Sequence, residues 1–480
     1  MYLSTIPTTN NGIALNPRLD SKENSMTDIR VYQGNQIGGC VTVITCTCKG
    51  ETHRIMIDFG SSLPGSGVTE EFQYDWENKP VDAVFFTHYH GDHVGRITEI
   101  PPEIPIYMGS TARDAMITIQ SALCKYEDED VELHKKELAL LKDEKRVRTF
   151  EWNGYRYKSV RDIPLFVVEP YSVDHSAYDA YMYLITTEDE NKPDGKYVTL
   201  HTGDFRGHGW RGNSTLDVIN HFVRRHGKRT VDALVIEGTM MNRSKEKVLT
   251  EFEMYLEATK YLREHKYAFL ICSSTNLDSL ASFYKAEQEA FDSNYSNLYV
   301  PSNYFVEQLD LFTKTAGSFT DLYKFEHVYR INLGLLLSHP NWGNKKKTQQ
   351  ELMEQHGFLA IIKPEDYCEE YIDAFIRAKE DGRIDQLPVI IYSMWDGYIK
   401  KGGKARVDSW IEFLDRQKEK GVKIKPLHTS GHASPQMIAD VINAVDPQDE
   451  IIPMHTENPK GFETLPISEE LKQRIRPSEE

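Results

Sequence analysis

The chain has 480 residues, 40% of them apolar, and a formal net charge of −17. That is enough apolar material to bury two cores, and no apolar stretch approaches the roughly 20 residues a membrane span needs, so no membrane partner is expected. The acidic balance argues against indiscriminate high-affinity binding to nucleic acid, and the six cysteines form no CxxC pair, which fits buried free thiols in a reducing cytoplasm.

Residues 1–25 are polar and irregular, lack the apolar segment of a secretion signal, and precede Met26, so residues 1–26 read as a disordered tail or an upstream start. Residues 36–48 and 53–57 read as paired strands around a Lys49-Gly50-Glu51 turn. Asp58 follows directly, ahead of Phe59-Gly60. The apolar run 81–86 then empties into Thr87-His88-Tyr89-His90-Gly91-Asp92-His93. A short β-branched and aromatic run ending in polar residues is a buried strand, and α/β sheets keep their ligands at such carboxyl ends. His88 and His90 can point the same way, while Gly91 lets the backbone turn Asp92 and His93 toward a second point nearby, so two adjacent metals are expected. Imidazole and carboxylate suit zinc, and an ordinary core has no use for three histidines and an aspartate this close together.

Residues 111–148 turn helical, with Met116, Ile119, Leu123, Leu133, Leu138, Leu140 and Leu141 on apolar faces, and predict a helical hairpin. His175 stands in Ser172-Val173-Asp174-His175-Ser176, and Asp204 follows the strand-like residues 197–200. Beyond Arg206 strand and helix alternate: strand 231–236 ending at Glu237, helix 247–264, strand 268–272 followed by Ser273-Ser274-Thr275-Asn276, helix 277–292, and later strands 389–392 and 422–427. Such alternation implies a mostly parallel sheet. Next come His428-Thr429-Ser430-Gly431-His432 and a helix opened by Ser434-Pro435, whose positive end favours a bound phosphate. A last strand-like run delivers His455.

The heptapeptide resembles the signature of the metallo-β-lactamase superfamily, and the remaining pieces fall in that superfamily's order. The resemblance implies that Asp58 orients the metal loop from behind, that His175 completes the first metal's histidines, and that Asp204 bridges both metals. The second metal lacks a histidine until His455, about 250 residues on, so a second domain is inserted into the metal-binding one. That layout resembles the β-CASP nucleases, the branch that includes ribonuclease J. It implies an α/β protein: a metallo-β-lactamase αββα sandwich made of residues 27–205 and 428–480, with a β-CASP domain, a mostly parallel α/β sheet, inserted over residues 206–427. Only 25 residues follow His455, so no counterpart of the C-terminal domain of ribonuclease J is expected, and a homo-oligomer is left open.

The chemistry so implied is a metal-dependent ribonuclease, in which a hydroxide activated by two metals hydrolyses phosphodiester bonds of single-stranded RNA. His88, His90 and His175 would hold one divalent ion, Asp92, His93 and His455 the other, with Asp204 shared, and zinc or manganese as the metal. Asp92, Glu237 and His432 are the expected catalytic residues, His432 giving a proton to the leaving oxygen and Glu237 orienting it. Ser273, Ser274, Ser430 and Gly431 are expected at the substrate phosphate. Histidine at 455 favours RNA over a DNA nuclease of the same fold, and a non-nuclease metallo-hydrolase or regulatory module is the third reading. Residues 206–430 carry 32 Lys and Arg against 31 Asp and Glu, so the excess acid lies in the rest of the chain. Arg224-Arg225-His226-Gly227-Lys228-Arg229, Lys345-Lys346-Lys347 and the basic residues of 400–406 could then track a phosphate backbone.

Overall fold

A computed structural model describes residues 25–63, 72–125, 130–212, 214–225, 230–243, 248–291, 298–332, 334, 336, 348–403 and 405–476. Most of the expected tail, residues 226–229, 345–347 and Lys404 of the basic clusters, and residues 126–129 lie outside the described residues.

Strands β1 (Met26–Tyr32), β2 (Val41–Cys48) and β3 (Glu51–Ile57) form an antiparallel meander. β4 (Ala83–Phe85), β5 (Ile106–Met108) and β6 (Val147–Thr149) then add in parallel beside β3. Parallel neighbours need crossovers, and the last of these is the expected hairpin of helices Ser110–Leu123 and Val131–Leu141. A second sheet starts with β7 (Phe166–Ser172), β8 (Tyr181–Glu188) and β9 (Lys196–His201), antiparallel in turn, and continues with β10 (Ala233–Glu237) parallel to β9. A third sheet follows, built from β11 (Tyr267–Cys272), β12 (Leu298–Val300), β13 (Val328–Arg330), β14 (Phe358–Ile361), β15 (Val389–Ser393) and β16 (Lys423–Pro426). Its order is β13-β12-β14-β11-β15-β16 and every pair is parallel. β17 (Glu450–Met454) returns to the second sheet beside β10.

The first two sheets pack face to face. Ile44, Ile57 and Phe85 of one meet Tyr183, Ile185, Val235 and Ile452 of the other, all fully buried. Helix Ser110–Leu123 covers the outer face of the first sheet, and helix Pro435–Val445 covers the second with Ile438, Val441 and Ile442. Each such side chain contributes about 1.5–3 kcal/mol on burial. The four layers are the expected αββα sandwich.

One strand differs from expectation. The run 231–236 was expected in the inserted sheet, yet β10 lies in the sandwich, hydrogen-bonded between β9 and β17. A short apolar run fits any buried parallel strand, so its pattern does not encode which sheet receives it. The six cysteines are free thiols, with Cys40, Cys46, Cys48 and Cys368 buried. Among the described residues no helix is long and apolar enough to cross a membrane. Lys401 and Arg406 of the expected phosphate-tracking cluster pair with Asp415 and Asp408 at 3.1 and 2.9 Å.

Candidate metal centre

Strands β3, β4, β7, β9, β10 and β17 deliver Asp58, the 88–93 loop, His175, Asp204, Glu237 and His455 from their carboxyl ends to one edge of the sandwich. Asp58, with a left-handed backbone at φ +60°, fixes the loop. The Thr87 amide donates to its Oδ1 at 2.8 Å, the Thr87 hydroxyl to its Oδ2 at 2.8 Å, and His93 Nδ1 lies 2.8 Å from the same Oδ2. An ionised carboxylate can only accept, so His93 carries its proton on Nδ1 and, in the neutral ring, turns a bare Nε2 inward. Because the Thr87 hydroxyl has already donated, it accepts from His88 Nδ1 at 3.1 Å, which leaves His88 Nε2 bare too. Both Nε2 atoms are buried without a hydrogen-bond partner. Gly60 permits the close approach: a Cβ there would sit 1.7 Å from the Asp92 carbonyl oxygen.

His455, also left-handed at φ +51°, is held in the same way from the second sheet. The Thr239 hydroxyl donates to the His455 carbonyl at 3.3 Å and lies 2.8 Å from His455 Nδ1, from which it accepts, while His455 Nε2 lies 3.3 Å from Asp92 Oδ2. His175 Nε2 is 3.4 Å from His90 Nδ1. Four groups of potential ligand atoms each fall within 4.8 Å: His88, His90 and His175; His88, His93 and Asp204; Asp92, His93 and His455; and Asp204, Glu237, His432 and His455. Asp204 is 1% exposed and neither of its side-chain oxygens has a hydrogen-bond partner. All seven expected ligands are brought together.

The electrostatics fit a cation. Burial pushes His90 down to about 4 and His88 and His175 well below the usual histidine value, so all three are neutral lone-pair donors. Burial also opposes charge at His93, yet Asp204, Asp58 and Asp92 raise its pKa well above the ordinary value. Asp204 is held well below the carboxylate range against its own burial by His455, His93 and His432. A set of bare imidazole nitrogens and carboxylate oxygens without hydrogen bonds, crowded together and largely buried, is a set that divalent metal ions satisfy.

Glu237 and His432 sit at the mouth of this cluster. Glu237 is fully buried; its Oε1 accepts the Ala433 amide and its Oε2 the Thr239 amide, each at 2.9 Å. His432 Nδ1 lies 3.7 Å from Glu237 and 3.4 Å from Asp204 Oδ2. Glu237 thus anchors the backbone of the loop that carries His432, and it does so from within the sandwich, where a position across the domain interface was expected. The His432 side chain is 22% exposed, and its ring centroid lies 5.6 Å from those of both His175 and His455. Burial opposes its charge, and Asp204 and Glu237 nevertheless raise its pKa. Gly431 passes so close to Ser176 that a Cβ would meet its Oγ at 2.6 Å. The Ser273–Ser274 turn is brought to the same rim, since Tyr89 donates to the Thr275 carbonyl at 3.1 Å and the Leu277 amide to that of Ser176 at 3.2 Å. Thr87, Thr239, Asp174 and Arg206 were not foreseen. The only signal for Arg206 was its place two residues after Asp204, and a lone arginine reads as surface.

Residues 38–170 match the family model described as the metallo-beta-lactamase superfamily. The fold is shared with a crystal structure of a protein of unknown function from Enterococcus faecalis V583, at a TM-score of 0.60 and 18% identity over 92% of this chain and 97% of that one. MEM-A1, a subclass B3 metallo-beta-lactamase isolated from a soil metagenome library, aligns at a TM-score of 0.26 and 12% identity over 55% of this chain and 90% of that one, too low to carry an argument. No curated protein matches the chain. The family match falls on the segment that supplies Asp58, His88, His90, Asp92 and His93.

Proposed function

We propose that the protein is a metal-dependent phosphodiesterase of the β-CASP kind that cleaves single-stranded RNA. The observation that carries this reading is Asp204, whose two unpartnered oxygens belong to ligand groups on both sides of the cluster. His88, His90 and His175 would hold one ion and Asp92, His93 and His455 the other, with Asp204 shared. Two divalent ions held there, zinc or manganese, would supply an activated water and a clamp on a phosphoryl group.

The chain's own residues do the rest. Asp58 keeps a proton on His93 Nδ1, and Thr239 keeps one on His455 Nδ1, so both rings stay aimed inward. Asp204 and Glu237 favour a proton on His432 Nδ1, which frees its Nε2–H to protonate a leaving oxygen at the exposed edge of the site. Ser430, Gly431, Ser273 and Ser274, at the rim of the cluster, would meet the substrate phosphate. The third sheet and its helices form a wall far larger than a small substrate needs, and its near-neutral charge suits a polyanion better than the acidic sandwich does.

The test is one strand sequence made as RNA and as DNA, incubated with the metal-loaded protein at fixed salt with chelator controls. RNA is expected to be cut at least about tenfold faster, an advantage of about 1.4 kcal/mol that one 2′-hydroxyl contact supplies. A preference for DNA would replace the RNA reading with that of a DNA nuclease. Cleavage of neither would leave a metallo-hydrolase of another substrate class.

A further inference from the structure

Behind the metal centre lies a second buried group of charges. Arg206 is 0% exposed, one of the largest fully buried side chains in the protein. Its Nη1 donates to the Ser430 carbonyl at 2.9 Å, and its Nη2 to Glu251 Oε1 at 3.2 Å and Asp278 Oδ2 at 2.7 Å. Its amide donates to the Asp174 carbonyl at 2.7 Å. Glu251 opens helix Glu251–Glu264 and Asp278 lies in the first turn of helix Leu277–Ala290, where the helix field favours an acid. Both helices belong to the unit of the third sheet. Ser279 and Ser282 donate to Glu251, and Tyr323 to Asp278. Arg211 completes the group from the same loop as Arg206, donating to the Val173 and His175 carbonyls at 3.0 and 2.6 Å.

The two arginines divide the work by their carbonyl acceptors. Arg211 holds the segment that carries His175. Arg206, joined by His208 with Nε2 at 2.7 Å from the same Ser430 oxygen, holds the segment that carries His432. From that carbonyl the chain is constrained at each step: the His432 amide donates to Ser430 Oγ at 3.1 Å and the Ala433 amide to Glu237 at 2.9 Å. A guanidinium taken wholly out of water persists only where its donors are matched. Two of its matches come from helices of the third-sheet unit, so the seating of that unit and the placement of His432 are linked through one side chain.

We infer that Arg206 is a positioning residue: it fixes the 430–433 loop, and with it His432, against the metal centre, and it does so only while Glu251 and Asp278 hold its other end. The rate consequence rests on the proposed role of His432, whereas the loop consequence does not.

The test is hydrogen–deuterium exchange on the metal-loaded full chain, paired with cleavage rates. Arg206→Lys keeps the charge and loses the fork. Its amides at 431–433 are expected to exchange at least about tenfold faster, with residues 173–176 little changed, and Arg211→Lys should show the reverse pattern. Glu251→Gln, which keeps the side chain's shape and its serine partners, should loosen 431–433 as well and serves if Arg206→Lys does not fold. Arg206→Lys should lower kcat about tenfold with metal content and KM unchanged, and should have no further effect in a His432→Ala background. Exchange raised evenly over the chain, or an equal rate loss with and without His432, would show a merely structural arginine and overturn the inference. If the exchange pattern appears but no nucleic acid is cut, the positioning role stands and the proposed function falls.

Discussion

The histidine cluster and the arginine cluster behind it share two stretches of chain, Asp174–His175 and Asp204–Arg206, yet they treat buried charge in opposite ways. In the arginine cluster the atoms that lack hydrogen bonds face charges of opposite sign: Asp174 Oδ1 lies 3.6 Å from Arg206 Nε and 3.7 Å from Arg211 Nε. In the histidine cluster the atoms without a hydrogen bond include His88 Nε2, His93 Nε2 and both Asp204 oxygens, and what faces Asp204 is imidazole, His93 Nε2 at 3.2 Å and His432 Nδ1 at 3.4 Å from its Oδ2, in place of a permanent cation. Buried charge that carries its own counter-charge is structure, and buried acceptors that lack one are a site for a cation.

The largest effect should come from breaking the second kind. Asp204→Ala removes the carboxylate that both ligand groups share, and the variant is expected to lose at least one ion and at least about 10³-fold in rate. Elemental analysis of the wild-type protein should find close to two ions per chain. Two ions and normal turnover in the variant would sink the shared-ligand assignment. Chelation should also lower the melting temperature, since an ion that binds only the folded state stabilises it.

The next effect sharpens the boundary between the two clusters. His432→Ala should keep its metal and lose on the order of 10²-fold in rate, the scale of a positioned proton donor. Glu237→Ala should do the same by freeing the Ala433 amide. Loss of an ion in either would make that residue a ligand, as their place in the group with Asp204 and His455 allows.

The smallest effect concerns a buried acid in neither cluster. Glu137, 8% exposed on helix Val131–Leu141, is pushed by burial up to about 7, with Gln120 opposing as a hydrogen-bond donor. Near pH 4.5 the folded chain still holds the acid neutral, and nothing is lost. Between about pH 4.5 and 7 the unfolded chain releases the proton that the folded chain keeps, so stability falls across that window and levels off above it. Glu137→Gln should therefore match the wild type near about pH 4.5 and exceed it by about 1–3 kcal/mol near about pH 8, read from denaturant melts. A constant gap at both pH values would mean that Glu137 is solvated.

The sequence by itself determined whatever is encoded within a few residues. The ligands of the 88–93 loop lie within one turn of chain after a strand, so their convergence needs no long-range information. Asp58, His175, Asp204 and His455 were legible only through the order of motifs that resembles the superfamily's, because a lone Asp or His after a strand reads as a cap or a satisfied core group. The tertiary structure decided three things that local pattern does not carry. It placed β10 in the sandwich, because apolar runs of equal length pair equally well in either sheet until the neighbours are known. It gave Glu237 a backbone amide to hold, because a carboxylate's partner is fixed by the loop that folds over it. It buried Arg206, because only the arrival of Glu251, Asp278 and Ser430, from distant parts of the chain, turns an arginine from a solvated side chain into one that water cannot reach.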